Sequence, residues 1–559
     1  MHWTAFAPFF RHATGHDPYP YQQELAQAPA LPEVLYAPTG AGKTAAAILG
    51  WLWRRRYHPD PEVRAATPRR LLYCLPVRVL VEQTHRSAQL WLQRLGLEGE
   101  VGLYLLMGGA RDDDWLLYPE QEAVIVGTQD MLLSRALNRG YGLSRFRWPA
   151  AFGLASSDCL WVVDEVQLMG PGLATTAQLD ALRRRLGTAG PAHTLWMSAT
   201  LAPGWLATVD RPPPATILQM DAADRDHPDL GARLTADKRL YQADVGSVKD
   251  RAYPRRLAEW LLRQHRQGTL TLVILNTVER AQAVYRELGR LVRDGGPDLL
   301  LLHSRFRGWE RRQAEARLHA DVPAAGRILV STQVVEAGVD LSAQTLVTEL
   351  APWPSLVQRF GRCNRYGRAD GARVFWIDVE DRAAAPYEPE EMALSRQVLR
   401  EREGSLVSPA ALPALDLPVP EGEVLRARDL IDLFDTAPDL SGQDVDVSRF
   451  IRDARDLDVQ VFWRRWEGAQ PSAQEPEPGR EELCPVPVYD LRRFLQAGER
   501  RGWVWDHLEE RWRPLQPSEL RPGLTVLLPA QAGGYDPALG WDPAAAQAVE
   551  PVPGAPVEP

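Results

Sequence analysis

The sequence predicts an α/β protein, with two tandem parallel-sheet domains followed by a mixed α+β C-terminal region. Three observations carry that prediction. Short apolar runs alternate with helical patterns over two separate stretches, as in parallel sheets buried on both faces. The pattern changes near residue 380. The length, 559 residues, is too great for one core and suits about three domains.

In the first stretch the strand-like runs are EVLYA (33–37), RLLYCL (70–75), VGLYLL (101–106), AVIVGT (123–128), CLWVVD (159–164) and TLWMSA (194–199). In the second they are LTLVILN (270–276), LLLLH (299–303), RILVST (327–332), TLVTEL (345–350) and RVFWID (373–378). Each is bounded by Gly, Pro or polar residues, as expected of strands covered on both faces. Residues 203–217 read as the exit from the first lobe, and the more polar 218–268 as the segment joining the lobes. The expected divisions are 1–210, 211–380, an accessory region with a linking helix at 381–470, and a small module at 471–559. Within these, 388–404 is helical, 469–487 is a linker or exposed loop, and 488–542 is β-rich. The tail 544–559 is expected to be disordered. Most C-terminal tryptophans are expected in the core because of the apolar area each contributes. Trp463 and Trp466 are candidates to stack on bases.

Bulk properties exclude several classes. No run of about 18 apolar residues predicts a membrane span. The N-terminal MHWTAFAPFFRHATGHD has neither the basic start nor the cleavage site of a signal peptide. Cys74, Cys159, Cys363 and Cys484 are far apart, with no CxxC pair, which argues against disulfides or structural zinc and fits a reducing cytoplasm. The net charge of −9 speaks against a protein that coats nucleic acid passively. It admits a motor with a narrow basic track.

Five motifs in fixed order point to such a motor. They are APTGAGKT (37–44), DEVQ (164–167), SAT (198–200), STQVVEAGVDLS (331–342) and QRFGRCNR (358–365). Thr39, Gly40, Ala41, Gly42, Lys43 and Thr44 lie between a strand and a helix, the context a phosphate loop requires. Backbone N–H groups and the helix N-terminus would cradle the phosphates of ATP. Lys43 would neutralise the β- and γ-phosphates, and Thr44 and Asp164 would hold Mg²⁺. Glu165 would orient or deprotonate the attacking water. Upstream, Gln22, with Tyr19 or Tyr21 beside it, is a candidate reader of the adenine edge. Arg362 and Arg365, three apart, would share a helix face and act as arginine fingers. Gln358 would position water or sense the γ-phosphate, and Arg359 would serve structure or couple to the acidic motif. Gly338 and Asp340 would flank the ribose and phosphates.

A nucleic-acid track is expected along strand ends, where open α/β sheets bind ligands. In the first lobe it comprises Pro76, Arg78, Gln83, Gly108, Gly109 and Thr128, with Thr84, Gln129 and Asp130 beside them. In the second it comprises Asn276, Thr277, His303, Ser304 and Thr332, with Arg305. Hydroxyls, backbone N–H groups and few arginines suit contacts to phosphate that ignore sequence.

Over about 15–380 these motifs resemble the superfamily-two helicases, built on RecA-like domains. DEVQ, LLHSRF, STQVVEAGVDLS and LVQRFGRCNRYG are similar to the CRISPR-associated helicase–nuclease family of type I systems, and 426–453 is similar to its subtype G (formerly U). The resemblance implies 3′-to-5′ translocation on single-stranded DNA and recruitment by an RNA-guided surveillance complex. It also implies an HD nuclease, which this sequence does not display. His16-Asp17 is the sole HD dipeptide and lies beside the adenine-reading segment, and Asp506-His507 is reversed. The expectation is a nuclease on a separate chain or domain. Two alternatives stay open: an RNA helicase or the motor of another defence system, and a nucleotide-gated clamp without turnover.

Overall fold

In the run RLLYCL, Leu71, Tyr73 and Leu75 enter one hydrophobic layer while Leu72 and Cys74 enter another, and all five are buried. Side chains alternate across a strand, so two apolar layers demand a sheet covered on both faces. The computed structural model has that architecture. It describes residues 3–553, except 109, 416, 419–421, 436–444, 453–457, 467, 469, 473, 474, 499, 507 and 508. Gly109 and His507, and 554–559 of the tail, therefore lie outside the described residues.

Two compact units divide the chain. The first is Met1–Ala236 with Tyr366–Arg368 and Ser408–Ala454. The second is Asp237–Arg365 with Ala369–Val407 and Arg455–Pro559. The first unit holds β1 (Val34–Tyr36), β2 (Arg70–Leu75), β3 (Gly102–Met107), β4 (Ala110–Arg111), β5 (Ala123–Thr128), β6 (Cys159–Asp164), β7 (Ala192–Ser198) and β8 (Ile217–Gln219). Their order is β4-β3-β5-β2-β6-β7-β1-β8, and every pairing except β3–β4 is parallel. Parallel strands deliver all their C-terminal ends to one edge. The phosphate loop after β1, Pro76 after β2, Thr128 ending β5, Asp164 ending β6 and Ser198 ending β7 therefore share that edge.

The second unit holds a parallel sheet of β9 (Lys238–Gln242), β10 (Leu270–Ile274), β11 (Asp298–Leu302), β12 (Arg327–Ser331), β13 (Thr345–Glu349) and β14 (Ala372–Ile377), in the order β11-β12-β10-β13-β14-β9. The segment 218–268, read as a joiner, also contributes structure of its own. It supplies the edge strand β9 and the helix Tyr253–Gln264. Lys238–Gln242 reads KRLYQ, and an edge strand this charged gives no apolar run to detect.

A mixed sheet completes the second unit: β15 (Asp458–Arg464), β16 (Cys484–Pro487), β17 (Trp503–Asp506), β18 (Arg511–Pro514) and β19 (Thr525–Pro529). The fold is thus two α/β parallel-sheet lobes plus a mixed α+β region, as the sequence predicts. The C-terminal region serves both units. Leu425, Leu433, Phe450 and Ile451 join the hydrophobic layer of Leu72 and Cys74 in the first. In the second, Trp309 N donates to Glu481 O at 3.1 Å and Gln282 Nε2 to Trp541 O at 2.9 Å. Trp463 is 2% exposed and donates through Nε1 to Gly533 O at 3.0 Å, so it is a core residue and not a base-stacking one. Trp466 is half-buried against Trp503. All four cysteines are buried thiols, and no helix among the described residues is long and apolar enough to cross a membrane.

Candidate nucleotide site and nucleic-acid track

The phosphate loop is shaped by two glycines in the left-handed region, Gly40 at φ 85° and Gly42 at φ 83°. The helix Lys43–Arg56 starts directly behind them. A Cβ on Gly42 would stand 2.7 Å from Gln22 Nε2, which explains the missing side chain there. Gln22 accepts from Tyr19 N at 2.8 Å and donates to Gly42 O at 3.0 Å. Its amide clamps the loop in this conformation and would have to leave Gly42 to read a base. Ala41 N donates to Pro38 O at 3.2 Å, and Thr39 is half-buried beside it. Buried Lys43 donates to Ala37 O at 3.3 Å and stands 3.4 Å from Glu165 Oε1.

At the end of β6, Asp164 accepts from Tyr73 OH at 2.8 Å and from Glu165 N at 2.9 Å. The Thr44 side chain lies close to the same Tyr73 hydroxyl. Burial raises the Asp164 carboxyl to about 6; Lys43 pulls it down and Glu165 pushes it up. The Thr44 hydroxyl and the Asp164 carboxylate are hard oxygen donors of the kind Mg²⁺ takes, so the residues fit that ion. Glu165 sits at φ 53°, ψ 46°, a costly backbone for a non-glycine residue and one that clusters at functional sites. From it a relay of hydrogen bonds crosses two motifs. Gln167 Nε2 donates to Glu165 Oε2 at 2.5 Å, Ser198 Oγ to Gln167 Oε1 at 2.8 Å, and Thr200 N to Ser198 Oγ at 3.0 Å.

Three partners of this site escape sequence reasoning. Tyr73 looks like one more apolar-run residue. Gln167 has no visible partner until β6 and β7 are paired. Arg233 lies far outside every motif, yet its Nη1 donates to Gly40 O at 2.6 Å while its guanidinium sits 5.5 Å from the Tyr366 ring.

In the second unit the helix Trp353–Phe360 ends before the arginine pair. Arg362 and Arg365 therefore do not share a helix face. Arg362 O accepts from Ala343 N at 2.8 Å and Asn364 N donates to Ala343 O at 2.8 Å, drawing the chain out of the helix, and Asn364 takes φ 41°. Arg362 is buried, donating to Val339 O at 2.9 Å and Glu336 O at 2.5 Å. Arg365 pairs with Asp340 at 3.1 Å, and its Nη1 is buried without a hydrogen-bond partner among the described residues. Gly338, at φ 77°, lies in the same turn, and Gln358 is buried in the helix. Arg359 is a structural hub, donating to Glu336 Oε1 at 2.7 Å, Thr348 Oγ1 at 2.8 Å, Glu349 O at 3.0 Å and Asn276 Oδ1 at 3.1 Å.

The track residues divide. Arg78 and Gln83 are exposed, and the Arg78 guanidinium lies against Gly108, bringing two separate candidates together. Pro76 is buried. Thr128 caps the helix Gln129–Ala136 by accepting from Met131 N at 3.4 Å. The chain around 451 covers the next two residues: Gln129 donates to Ile451 O at 3.2 Å, and Asp130 pairs with Arg452. Thr277 caps the helix Val278–Leu291, and Ser304 is exposed. Three second-lobe candidates are corrected. Asn276 is buried, with both side-chain polar atoms bonded to Arg359 and Leu350. Thr332 is buried at the end of β12. His303 is fully buried, donating through Nε2 to Leu539 O at 2.9 Å and accepting from Arg305 N at 3.1 Å. The turn at Gly540 lies against it, with an added Cβ only 2.7 Å from His303 Cε1. The C-terminal region, whose docking no local pattern announces, covers that position. Among the described residues no cluster of three or more His, Cys, Asp or Glu side chains could hold a metal.

Comparison with known proteins places these features. The family profile described as DEAD/DEAH box helicase matches 20–208, and that described as CRISPR-associated nuclease/helicase Cas3, C-terminal, matches 267–368. A Myxococcus xanthus protein named as a CRISPR-associated nuclease/helicase Cas3 is 32% identical over 371 residues, covering 64% of this chain and 44% of that protein. The CRISPR-associated helicase Cas3 of Thermoproteus tenax is 28% identical over 402 residues, covering 68% and 60%. The chain thus spans roughly half the length of these relatives. Among solved structures, Cas3 of T. fusca with AMPPNP superposes with a TM-score of 0.61 at 21% identity, covering 93% of this chain and 68% of that one. The first lobe alone would suit many helicase-like motors; the match across the second lobe narrows the likeness, and over both lobes the chain is similar to the CRISPR-associated Cas3 nuclease/helicases.

Proposed function

We propose that this chain is an ATP-driven translocase of single-stranded DNA, moving 3′ to 5′, recruited to a displaced strand by an RNA-guided type I CRISPR surveillance complex. The observation that carries the motor reading is the relay Lys43–Glu165–Gln167–Ser198–Thr200. It ties the phosphate loop to two strand ends of the same sheet edge. A change at the γ-phosphate is felt along that edge, where a strand would lie. Polarity and recruiter follow from the family resemblance. A DNA target for an RNA-guided system also suits a chain whose track offers hydroxyls and few base-reading groups.

In this scheme Lys43 exchanges Glu165 and Ala37 O for the phosphates. Thr44 and Asp164 hold Mg²⁺, which when bound neutralises phosphate charge. Glu165, released from Lys43 and steadied by Gln167, orients the attacking water. Arg365 acts as the finger more directly than Arg362, whose guanidinium is committed to the Glu336 and Val339 carbonyls. Nuclease chemistry is assigned to a separate chain or domain. Cleavage of single-stranded DNA by the purified chain with Mn²⁺, persisting in Lys43→Ala, would overturn that assignment.

The deciding experiment is ATP hydrolysis with Mg²⁺, alone and with single-stranded DNA or RNA, beside Lys43→Ala. Strong stimulation by DNA, lost in the variant, supports the translocase. Equal or greater stimulation by RNA favours an RNA helicase, and nucleotide binding without turnover a clamp.

A further inference from the structure

Between Asp130 and Asp158 the chain carries no acidic residue but four arginines, Arg135, Arg139, Arg145 and Arg147, within a protein of net charge −9. Arg135 is buried on Asp113, and Arg139 is buried with its Nη1 on Leu433 O at 2.7 Å. Arg145 and Arg147 remain at the surface. Between them stands Phe146, 97% exposed, the most exposed large apolar side chain among the described residues.

The loop that presents this ring is a built structure. Tyr141 N donates to Ser134 Oγ at 3.1 Å, Leu143 N to Gly140 O at 2.9 Å, and Arg147 N to Ser144 O at 2.8 Å. Trp148 Nε1 donates to Leu143 O at 3.0 Å, while Arg139 and Arg145 lie over its ring at 5.1 and 5.9 Å. Gly140 is confined, since a Cβ there would meet Leu143 at 3.0 Å. The helix Trp148–Ser156 that follows packs against the helix Gln129–Ala136, which starts at the strand-end residue Thr128. A phenyl ring in water, with the exposed guanidinium of Arg147 next to it in sequence, suits a partner with a flat π-face and an adjoining anion. A base beside its phosphate is that partner.

We infer that Phe146 stacks on a base of single-stranded DNA while Arg147 neutralises a phosphate beside it. This rests on the translocase reading and gives it a base-contacting subsite.

The test is binding of a labelled oligo-dT strand by anisotropy to wild type, Phe146→Ala, Phe146→Tyr and Arg147→Ala, with thermal midpoints as a folding control. Loss of one stacked base weakens binding by about five- to a hundredfold in Phe146→Ala, and Phe146→Tyr restores it. On an abasic strand, which keeps its phosphates, wild type and Phe146→Ala bind alike. Arg147→Ala lowers the salt slope by about 0.7, one phosphate's worth on a single strand. Equal oligo-dT affinity of wild type and Phe146→Ala overturns the inference but leaves the motor intact. A loss confined to an oligo-U RNA strand overturns the choice of DNA. A wild type that hydrolyses ATP yet binds no single strand overturns the translocase reading itself.

Discussion

Ser198 Oγ donates to Gln167 Oε1 at 2.8 Å, and through that glutamine the third motif reaches the carboxylate of Glu165. Ser198 is fully buried, so water cannot replace its hydroxyl. Ser198→Ala should leave Gln167 unanchored and Glu165 less well oriented. One buried hydrogen bond is worth about 0.5–1.5 kcal/mol, so kcat should fall roughly two- to twelvefold. Nucleotide affinity should stay near wild type, because the Ser198 hydroxyl bonds to Gln167 and Thr200, and the bond to Ala37 N comes from the Ser198 backbone, which the substitution keeps. Steady-state ATPase beside equilibrium nucleotide binding separates the two.

Lys43→Ala, Glu165→Gln and Arg365→Ala should each abolish turnover by different routes. The lysine loss should weaken nucleotide binding as well, since its charge faces the phosphates in ground and transition states alike. The Glu165→Gln loss should fall on kcat, with binding preserved. Arg365→Ala should cost about a thousandfold or more in kcat. Single-turnover hydrolysis with separate binding titrations checks all three, and near-normal turnover in any one removes that residue's assigned role.

The central strands of both lobes are legible because a strand covered on two faces must be apolar throughout, and no partner need be known to see it; β4, β8 and β9 are not. The phosphate loop is legible for a similar reason: glycine geometry, lysine and helix start are local. What sequence hides is long-range. Tyr73 reads as core, although its hydroxyl donates to Asp164. Arg233 and Lys238 serve backbone carbonyls more than a hundred residues away. Asn276 and His303 sit at strand ends, as track residues should, but Arg359 and the turn near Gly540 take them inward.

Lys238 illustrates the hidden class. It is 1% exposed, and its ammonium donates to Phe360 O at 2.7 Å and Cys363 O at 2.9 Å, the carbonyls on either side of Gly361 and Arg362. Removing the ammonium leaves two buried carbonyls unsatisfied, at about 1–3 kcal/mol each. Lys238→Met should therefore lose about 2–5 kcal/mol of stability, offset in part by the relief of a desolvated charge. It should also misplace the turn that presents Arg365. Denaturant unfolding reads the first effect and kcat the second; an unchanged unfolding midpoint would show that the carbonyls find other donors.

His303 predicts a pH dependence of stability. Burial lowers its pKa to about 3, the Leu539 carbonyl opposing that shift, whereas an unfolded histidine titrates near 6.5. Between those values the unfolded chain holds a proton that the native chain refuses, so stability falls as pH drops below about 6.5. At pH 5 the loss from this one group is about 2 kcal/mol relative to pH 8, and it grows until the native pKa is reached. His303→Gln removes the titration while leaving an amide to meet Leu539 O. Its melting temperature should be lower than wild type at pH 8, but should fall less steeply between pH 6.5 and pH 5. Parallel slopes for the two proteins would mean that the turn at Gly540 opens on acidification and lets the imidazole protonate in place.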